Sequence, residues 1–236
     1  MRVGIAGYGL AGRSFHGPLL KGCGFEIAAI ATSNATRARQ AKDDFPLTNV
    51  VSDFSSLVKQ NLDLIIIATA NKVHAEQAHA AISAGIPVVI DKPAARTASE
   101  TAEIFAAAER AGVPITVFYN RLWDSDALTI KQVVRDGLIG KPFRLDSRFE
   151  RFRPQRNPAA WRENESPENG GGLLLDLQTH LISTALDWFG EAELTNAHIR
   201  SIRGESEDDV VLTLKHASGV DSYLSASAIS GNPGPR

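Results

Sequence analysis

"RVGIAGYGLAG", residues 2–12, is the stretch whose reading decides the fold. An apolar, β-rich run over 2–6 leads straight into glycines at 7, 9 and 12, the G-x-G-x-x-G spacing, and the residues beyond read as helix. In a strand–turn–helix unit each glycine has its own duty. Gly7 permits the tight turn, Gly9 lets the backbone approach a pyrophosphate, and Gly12 lets helix and strand pack closely. The helix N-terminus adds N–H donors and a positive dipole end. Tyr8, Leu10 and Ala11 fill the turn and are expected to contact a dinucleotide with it. Three glycines alone could be a plain connector; their place at the head of an alternating pattern gives them meaning.

That pattern continues outward. Apolar runs recur at 25–31, 49–51, 63–69, 86–90 and 113–119, with helix-like segments at 35–43, 73–84 and 98–111. Runs apolar at nearly every position suit strands buried on both faces of a parallel sheet. Gly85 and Gly112 follow the last two helical segments, with Pro87 and Pro114 shortly after, a helix stop. The order predicts an α/β, doubly wound parallel sheet.

At the end of the second strand, an NAD site offers an acid to the ribose 2′-hydroxyl. Here "ATSNATRAR" has no acid; Ser33 and Arg37 stand where a 2′-phosphate would be welcomed, with Arg39 a lesser helper, so NADP is favoured over NAD. Lys92 and Pro93, in "DKP", emerge at the carboxyl end of the 86–90 strand, where open sheets bind ligands. Thr69, Asn71 and His74, in "TANKVH", end the preceding strand in the same way; the latter two could touch a cofactor or simply cap the next helix.

After Tyr119 the pattern changes. A helix ends near Gly137 or Gly140, a strand alternates over 143–152, and a long loop rich in Pro, Gly, Asn and Arg runs to the three glycines at 170–172. A helix over 173–189 follows, then strands, the last two joined by a hairpin at Ser218–Gly219. This predicts an α+β domain on a mostly antiparallel sheet, with domains 1–120 and 121–236. On the 173–189 helix, leucines cover most of the circumference, leaving a stripe of Asp176, Thr179, His180, Ser183 and Asp187. Solvent faces recruit Lys, Glu and Arg; this stripe has none and suits the wall of a cleft. The preceding glycines are expected to let a ligand approach the backbone.

The net charge of −2 with scattered signs points away from nucleic acid and membrane surfaces. The single cysteine, Cys23, allows no disulfide within the chain, fits a reducing compartment and is expected to be a small buried side chain. No run reaches the ~20 apolar residues of a membrane helix, and no signal-peptide pattern opens the chain, so a cytoplasmic home is expected. No metal site is assigned.

GYGLAG, the Lys-Pro after the fifth strand and the GGG-x-L-x-D-x-x-x-H run together resemble the glucose–fructose oxidoreductase / inositol dehydrogenase (Gfo/Idh/MocA) family along the whole chain. "AGRSFHGPLL" (11–20), "YNRLWDSD" (119–126), "RFRPQ" (151–155) and "WRE" (161–163) look closer to its NADP-dependent scyllo-inositol dehydrogenase branch. The resemblance implies an N-terminal Rossmann domain and reversible hydride transfer between nicotinamide and a polyol, inositol or sugar carbon. It also implies a catalytic lysine at Lys92, an acid–histidine pair at Asp176 and His180, and cofactor-cleft contacts at Arg121, Trp161 and Arg162. His180 would remove the alcohol proton, Asp176 orient substrate or imidazole, and Lys92 stabilise alkoxide charge. Lys92 and His180 are thus expected to converge on one reactive carbon. A homo-oligomer through the second-domain sheet is expected as well.

Three positions depart from the family pattern: Asp91 for Glu, Ala70 for a frequent proline that would firm the turn, and Gln178 for a frequent glycine, which could narrow or repolarise the pocket. Family members continue past "NPGPR", so the second domain is read as truncated, with proteolysis after Arg236 as the suggested cause; the mass of freshly purified protein checks this. Two other functions compete with the dehydrogenase: a non-catalytic NADP(H) sensor and a redox-assisted glycosidase. Survival of Lys92, Asp176 and His180 together favours the dehydrogenase.

Overall fold

A computed structural model describes residues 1–234 of the chain. It divides into two compact units, Met1–Phe118 and the chain from Tyr119 onward.

The first unit holds six parallel strands: β1 (Arg2–Ala6), β2 (Glu26–Ala31), β3 (Asn49–Val51), β4 (Leu64–Ile67), β5 (Val88–Asp91) and β6 (Ile115–Phe118). Their order, β3-β2-β1-β4-β5-β6, reverses at β1 and β4, the doubly wound arrangement expected from the sequence. The helices are α1 (Gly17–Gly22), α2 (Ala35–Asp44), α3 (Phe54–Val58), α4 (His74–Ser83) and α5 (Ala98–Ala111). Successive strand side chains point to opposite faces, and both faces are covered. Ile65 and Ile67 of β4 join one core with Ala78, Ile82 and Ile104 of α4 and α5. Ile66, between them, joins Val3, Ile5, Leu20 and Ile30 on the other side. Helix α3 escaped the sequence reading because its five residues are too few for a periodic signal; Asp53 caps it, accepting from Ser56 N at 2.8 Å. Cys23 is exposed, contrary to expectation: it caps the end of α1, where the chain turns through Gly24 at φ +76°.

The second unit contains α6 (Ser125–Arg135), β7 (Arg144–Glu150), α7 (Trp161–Asn164), α8 (Thr179–Phe189), β8 (Ala192–Arg200), β9 (Asp209–His216) and β10 (Asp221–Ser227). The sheet order is β7-β10-β9-β8; β10–β9 and β9–β8 are antiparallel, and β7 joins β10 in parallel. Leu177, Leu181 and Ala185 pack on Val210, Leu212, Leu214 and Leu224. The expected long loop between β7 and α8 is partly ordered by α7 and by Arg203, which donates to Arg153 O at 2.6 Å and pairs with Asp208 at 3.0 Å.

The helix expected over 173–189 is not uniform. Its first turn, Leu174–Gln178, is π-helical, and regular α-helix begins only at Thr179. The wide turn rotates the following residues, and Gln178 lands on the sheet with 0% exposure. Among the described residues, no helix is long and apolar enough to cross a membrane.

Candidate functional site

In the first unit the glycine turn is built as the spacing demands. Gly7 has φ +90°, and a side chain there would place its Cβ 2.6 Å from Ala68 O. A Cβ on Gly12 would overlap Gly7 O, so the π-helical turn Gly12–His16, which opens the first helix ahead of α1, packs directly on the end of β1. Gly9 is open by contrast: the nearest atom to an added Cβ is Nη1 of Arg37, at 3.7 Å. The half-buried turn glycine, with room for an added atom, and a guanidinium beside it fit a phosphate-bearing dinucleotide. Arg37 reaches that position from the first turn of α2, which Asn34 caps by accepting Arg37 N at 3.0 Å. Ser33 is exposed just before this cap, Leu10 is exposed and Ala11 half-buried.

Tyr8 directs its side chain inward. Its hydroxyl donates to Asp44 Oδ2 at 2.9 Å, and Arg13 Nε donates to the same oxygen at 2.7 Å. Burial, then the bond to Asp44, raises the phenol's pKa. The ring belongs to the core, which leaves its main chain to face a ligand.

Asn71 and His74 follow β4, and both are buried. The sequence offered them as cofactor contacts or helix caps; α4 has no side-chain cap. His74, 1% exposed, instead faces two carbonyls: Nδ1 lies 2.8 Å from Pro93 O and Nε2 3.2 Å from Thr69 O. It ties together the loops at the ends of β4 and β5. Thr69 Oγ1 donates to Gln77 Oε1 at 2.7 Å. Lys92 follows β5, half-buried, its N–H donating to Asp91 Oδ1 at 3.1 Å, and its peptide bond to Pro93 is cis. Ala70 has φ −79°, a value that proline would also adopt.

His16, which sequence reasoning passed over, is buried with its ring centroid 4.6 Å from that of Phe118. Burial pushes its imidazole down to about 4. Between that value and the ordinary 6.5, the unfolded chain binds a proton that the folded chain refuses, so stability falls as pH drops through this window. Relative to a His16→Phe variant, the protein is expected to lose up to about 3 kcal/mol of unfolding free energy between pH 7 and pH 4, measured by denaturant titration.

In the second unit, the structure brings Trp161, Arg162 and Asp176 together. Arg162 Nε lies 3.2 Å from Asp176 Oδ1, and the guanidinium sits 4.5 Å from the centroid of the Trp161 ring. Arg162 O also accepts Gly172 N at 2.9 Å, which ties α7 to the turn carrying Asp176. His180 lies four residues beyond Asp176 and is 7% exposed. Arg121 pairs with Asp124 at 2.9 Å, its guanidinium 5.9 Å from the Phe149 centroid.

The remaining stripe residues make local bonds. Thr179 Oγ1 donates to Leu175 O at 3.1 Å and Ser183 Oγ to His180 O at 3.0 Å, both within their own helix. Asp187 pairs with Lys131 of α6 at 2.6 Å. Gln178 does not narrow a pocket: its Nε2 donates to Val210 O at 2.8 Å and Leu224 O at 3.1 Å. The glycines are also reassigned. A Cβ on Gly171 would overlap Glu165 O, and one on Gly172 would overlap the Glu207 carboxylate; both admit the chain's own atoms rather than a ligand. Nothing in the acidic run at 205–209 signals that Glu207 is buried.

Comparison with known proteins agrees with this architecture. Residues 1–119 match the oxidoreductase family model with an NAD-binding Rossmann fold, and residues 127–236 match the GFO/IDH/MocA C-terminal domain. The chain is 43% identical over 192 residues to the uncharacterised oxidoreductase YdgJ of Escherichia coli, covering 80% of this chain and 54% of that protein. It is 35% identical over 240 residues to IolW of Bacillus subtilis, a scyllo-inositol 2-dehydrogenase (NADP(+)), covering 100% of this chain and 65% of that protein. The solved structure of Bacillus subtilis yvaA superposes with a TM-score of 0.88 at 34% identity, covering 100% of this chain and 66% of that one. The chain thus spans about half to two thirds of the length of these relatives. With a glycine-turn parallel sheet and a second unit that both match, the chain belongs to the Gfo/Idh/MocA oxidoreductase family.

Proposed function

We propose that the protein is an NAD(P)-dependent dehydrogenase acting on the hydroxyl-bearing or keto carbon of a polyol, inositol or sugar. The observation that carries the proposal is the glycine turn, with Gly7 and Gly12 closed by the chain's own backbone and Gly9 open beside the Arg37 guanidinium. Gly7, Tyr8, Gly9, Leu10, Ala11 and Gly12 would hold the dinucleotide largely through main-chain groups, with Ser33 and Arg37 at the ribose end. Bound nicotinamide supplies the hydride acceptor or donor. Arg37 at an acid-free strand end supports NADP over NAD, as does the similarity to an enzyme named for NADP(+).

On the protein side, His180 takes the alcohol proton, since imidazole exchanges protons near neutrality. Lys92 stabilises the negative charge that develops on the oxygen. Asp176 holds substrate hydroxyls, its carboxylate already set by Arg162. Trp161, Arg162 and Arg121 contribute to the cofactor environment, and Thr69, Asn71 and Pro93 shape its floor; His74 supports that floor from beneath.

The test follows reduced-nicotinamide absorbance over a panel of inositols, aldoses and their keto forms with both cofactors. Turnover favouring NADP is expected, with the preference reduced in Arg37→Ala. Stoichiometric cofactor binding without turnover on any of them replaces this reading with an NADP(H) sensor.

A homo-oligomer through the second sheet belongs to the same proposal. Leu194 and Ile199 of edge strand β8 are paired with Leu214 and Val210 and so share their face, yet remain exposed. Light scattering that returns a monomer mass sinks it. A cytoplasmic setting goes with the single cysteine.

A further inference from the structure

We infer that Glu207 is a positioning residue for Asp176: its buried carboxylate holds the first N–H groups of the wide turn Leu174–Gln178 and thereby fixes where Asp176 faces. The inference rests on the dehydrogenase reading, since it gives Glu207 its effect through a group proposed to touch substrate.

Glu207 is 5% exposed and lies two residues before β9. Its Oε1 accepts Leu174 N at 3.1 Å, and its main-chain carbonyl accepts Leu173 N at 3.0 Å. The first N–H groups of a helix have no partner within it, so Glu207 supplies both of these acceptors. Burial pushes the Glu207 carboxyl's pKa up, and the bond from Leu174 N counters that shift. The carboxylate occupies the space that a side chain at residue 172 would need, and Gly172 has φ +88°. The glycine is therefore the seat of Glu207. The same glycine starts the turn, because Asp176 N donates to Gly172 O at 3.2 Å. Next to it, Ser206 Oγ donates to Glu165 O and anchors the strand that delivers Glu207.

At the far end of the turn, Gln178 is fixed to Val210 O and Leu224 O. Asp176 thus sits at the middle of a five-residue turn whose two ends are both fastened to the β9 region. Freeing one end lets the turn slide or tighten toward ordinary α-helix, which rotates Asp176 away from Arg162. An error of about 1 Å at a reacting group is enough to cost about 100-fold in rate.

The test compares Glu207→Gln, which keeps an acceptor oxygen, with Glu207→Leu, which keeps the bulk and removes the acceptor. Both are made in the full chain and checked by thermal melting. The Leu variant is expected to lower kcat by about 10- to 100-fold and to raise KM for the polyol, whose hydroxyls Asp176 holds, with Kd for NADP(H) within about threefold. The Gln variant is expected to recover kcat to within about threefold of the parent. Equal kcat in all three proteins, or a Gln variant as impaired as the Leu variant, overturns the inference. If the Leu variant does not fold, Glu207→Asp, whose carboxylate stops one methylene short of Leu174 N, takes its place with the same expectations.

A second readout needs no turnover. Titration of the Asp176 carboxyl, followed by NMR, is expected to move in the Leu or Asp variant and return in the Gln variant. An unchanged titration removes the positioning role while leaving the dehydrogenase reading intact. A parent protein idle on every substrate, with the titration moving as described, defeats the dehydrogenase reading and leaves the mount for Asp176 standing.

Discussion

His180→Gln is expected to lower kcat for polyol oxidation by about 10²- to 10⁴-fold, the contribution of a positioned general base. The substitution keeps a polar group at a site only 7% exposed, so folding is expected to survive. Cofactor affinity should stay near that of the parent, because the substitution leaves the glycine turn and Arg37 untouched. Lys92→Met is expected to produce a loss of similar size, through charge on the oxygen rather than the proton. If both groups serve one step, the double variant loses far less than the product of the single losses. Steady-state kinetics of the four proteins decides this. Multiplicative losses would show that the lysine and the histidine act independently, and a fully active His180→Gln would remove the histidine from the chemistry.

Gly12→Ala carries the largest expected effect on the first unit. The added methyl overlaps Gly7 O, a backbone atom that no rotamer change can move aside. Overpacking of this kind costs about 1–3 kcal/mol. The shift needed to relieve it carries the start of the helix away from the turn, so NADP(H) affinity is expected to weaken by about tenfold, or 1.4 kcal/mol. Gly22→Ala is the matched control. Nothing lies within 4 Å of its added methyl, and the residue is helical without a positive φ. That variant is expected to gain up to about 1 kcal/mol and bind cofactor as the parent does. Denaturant melts and a fluorescence titration of NADPH on both variants give the comparison. A Gly12→Ala protein with unchanged stability and affinity would contradict the packing described for the turn.

The two predictions fall on parts of the chain that were unequally legible. The glycine turn could be read directly, because its meaning lies in contacts between near neighbours: β1, the turn and the first helix are contiguous. Helices α4 and α5 were legible for a related reason, as apolar periodicity and the Gly-then-Pro stops are local. The histidine helix was only half legible. Its leucines announced a buried helix, yet helical periodicity assumes 3.6 residues per turn, and the π-helical turn breaks that assumption at Leu174–Gln178. Asp176 and His180 could be singled out as unusual for a solvent face. That Asp176 meets Arg162, and that Asp187 belongs to Lys131, could not.

By itself the sequence determined the alternating strand–helix order, the burial of both faces of the first sheet and the place of the glycine turn, because hydrophobic period and glycine spacing act over a few residues. Only the tertiary structure decided what the other polar and glycine positions are for. It put Arg37 beside Gly9, seated Glu207 on Gly172, turned Gln178 into the sheet and made His74 a tie between two strand ends. Each of these pairs residues far apart in the chain, where a side chain's role is set by the acceptor or space that folding delivers to it rather than by its neighbours in sequence.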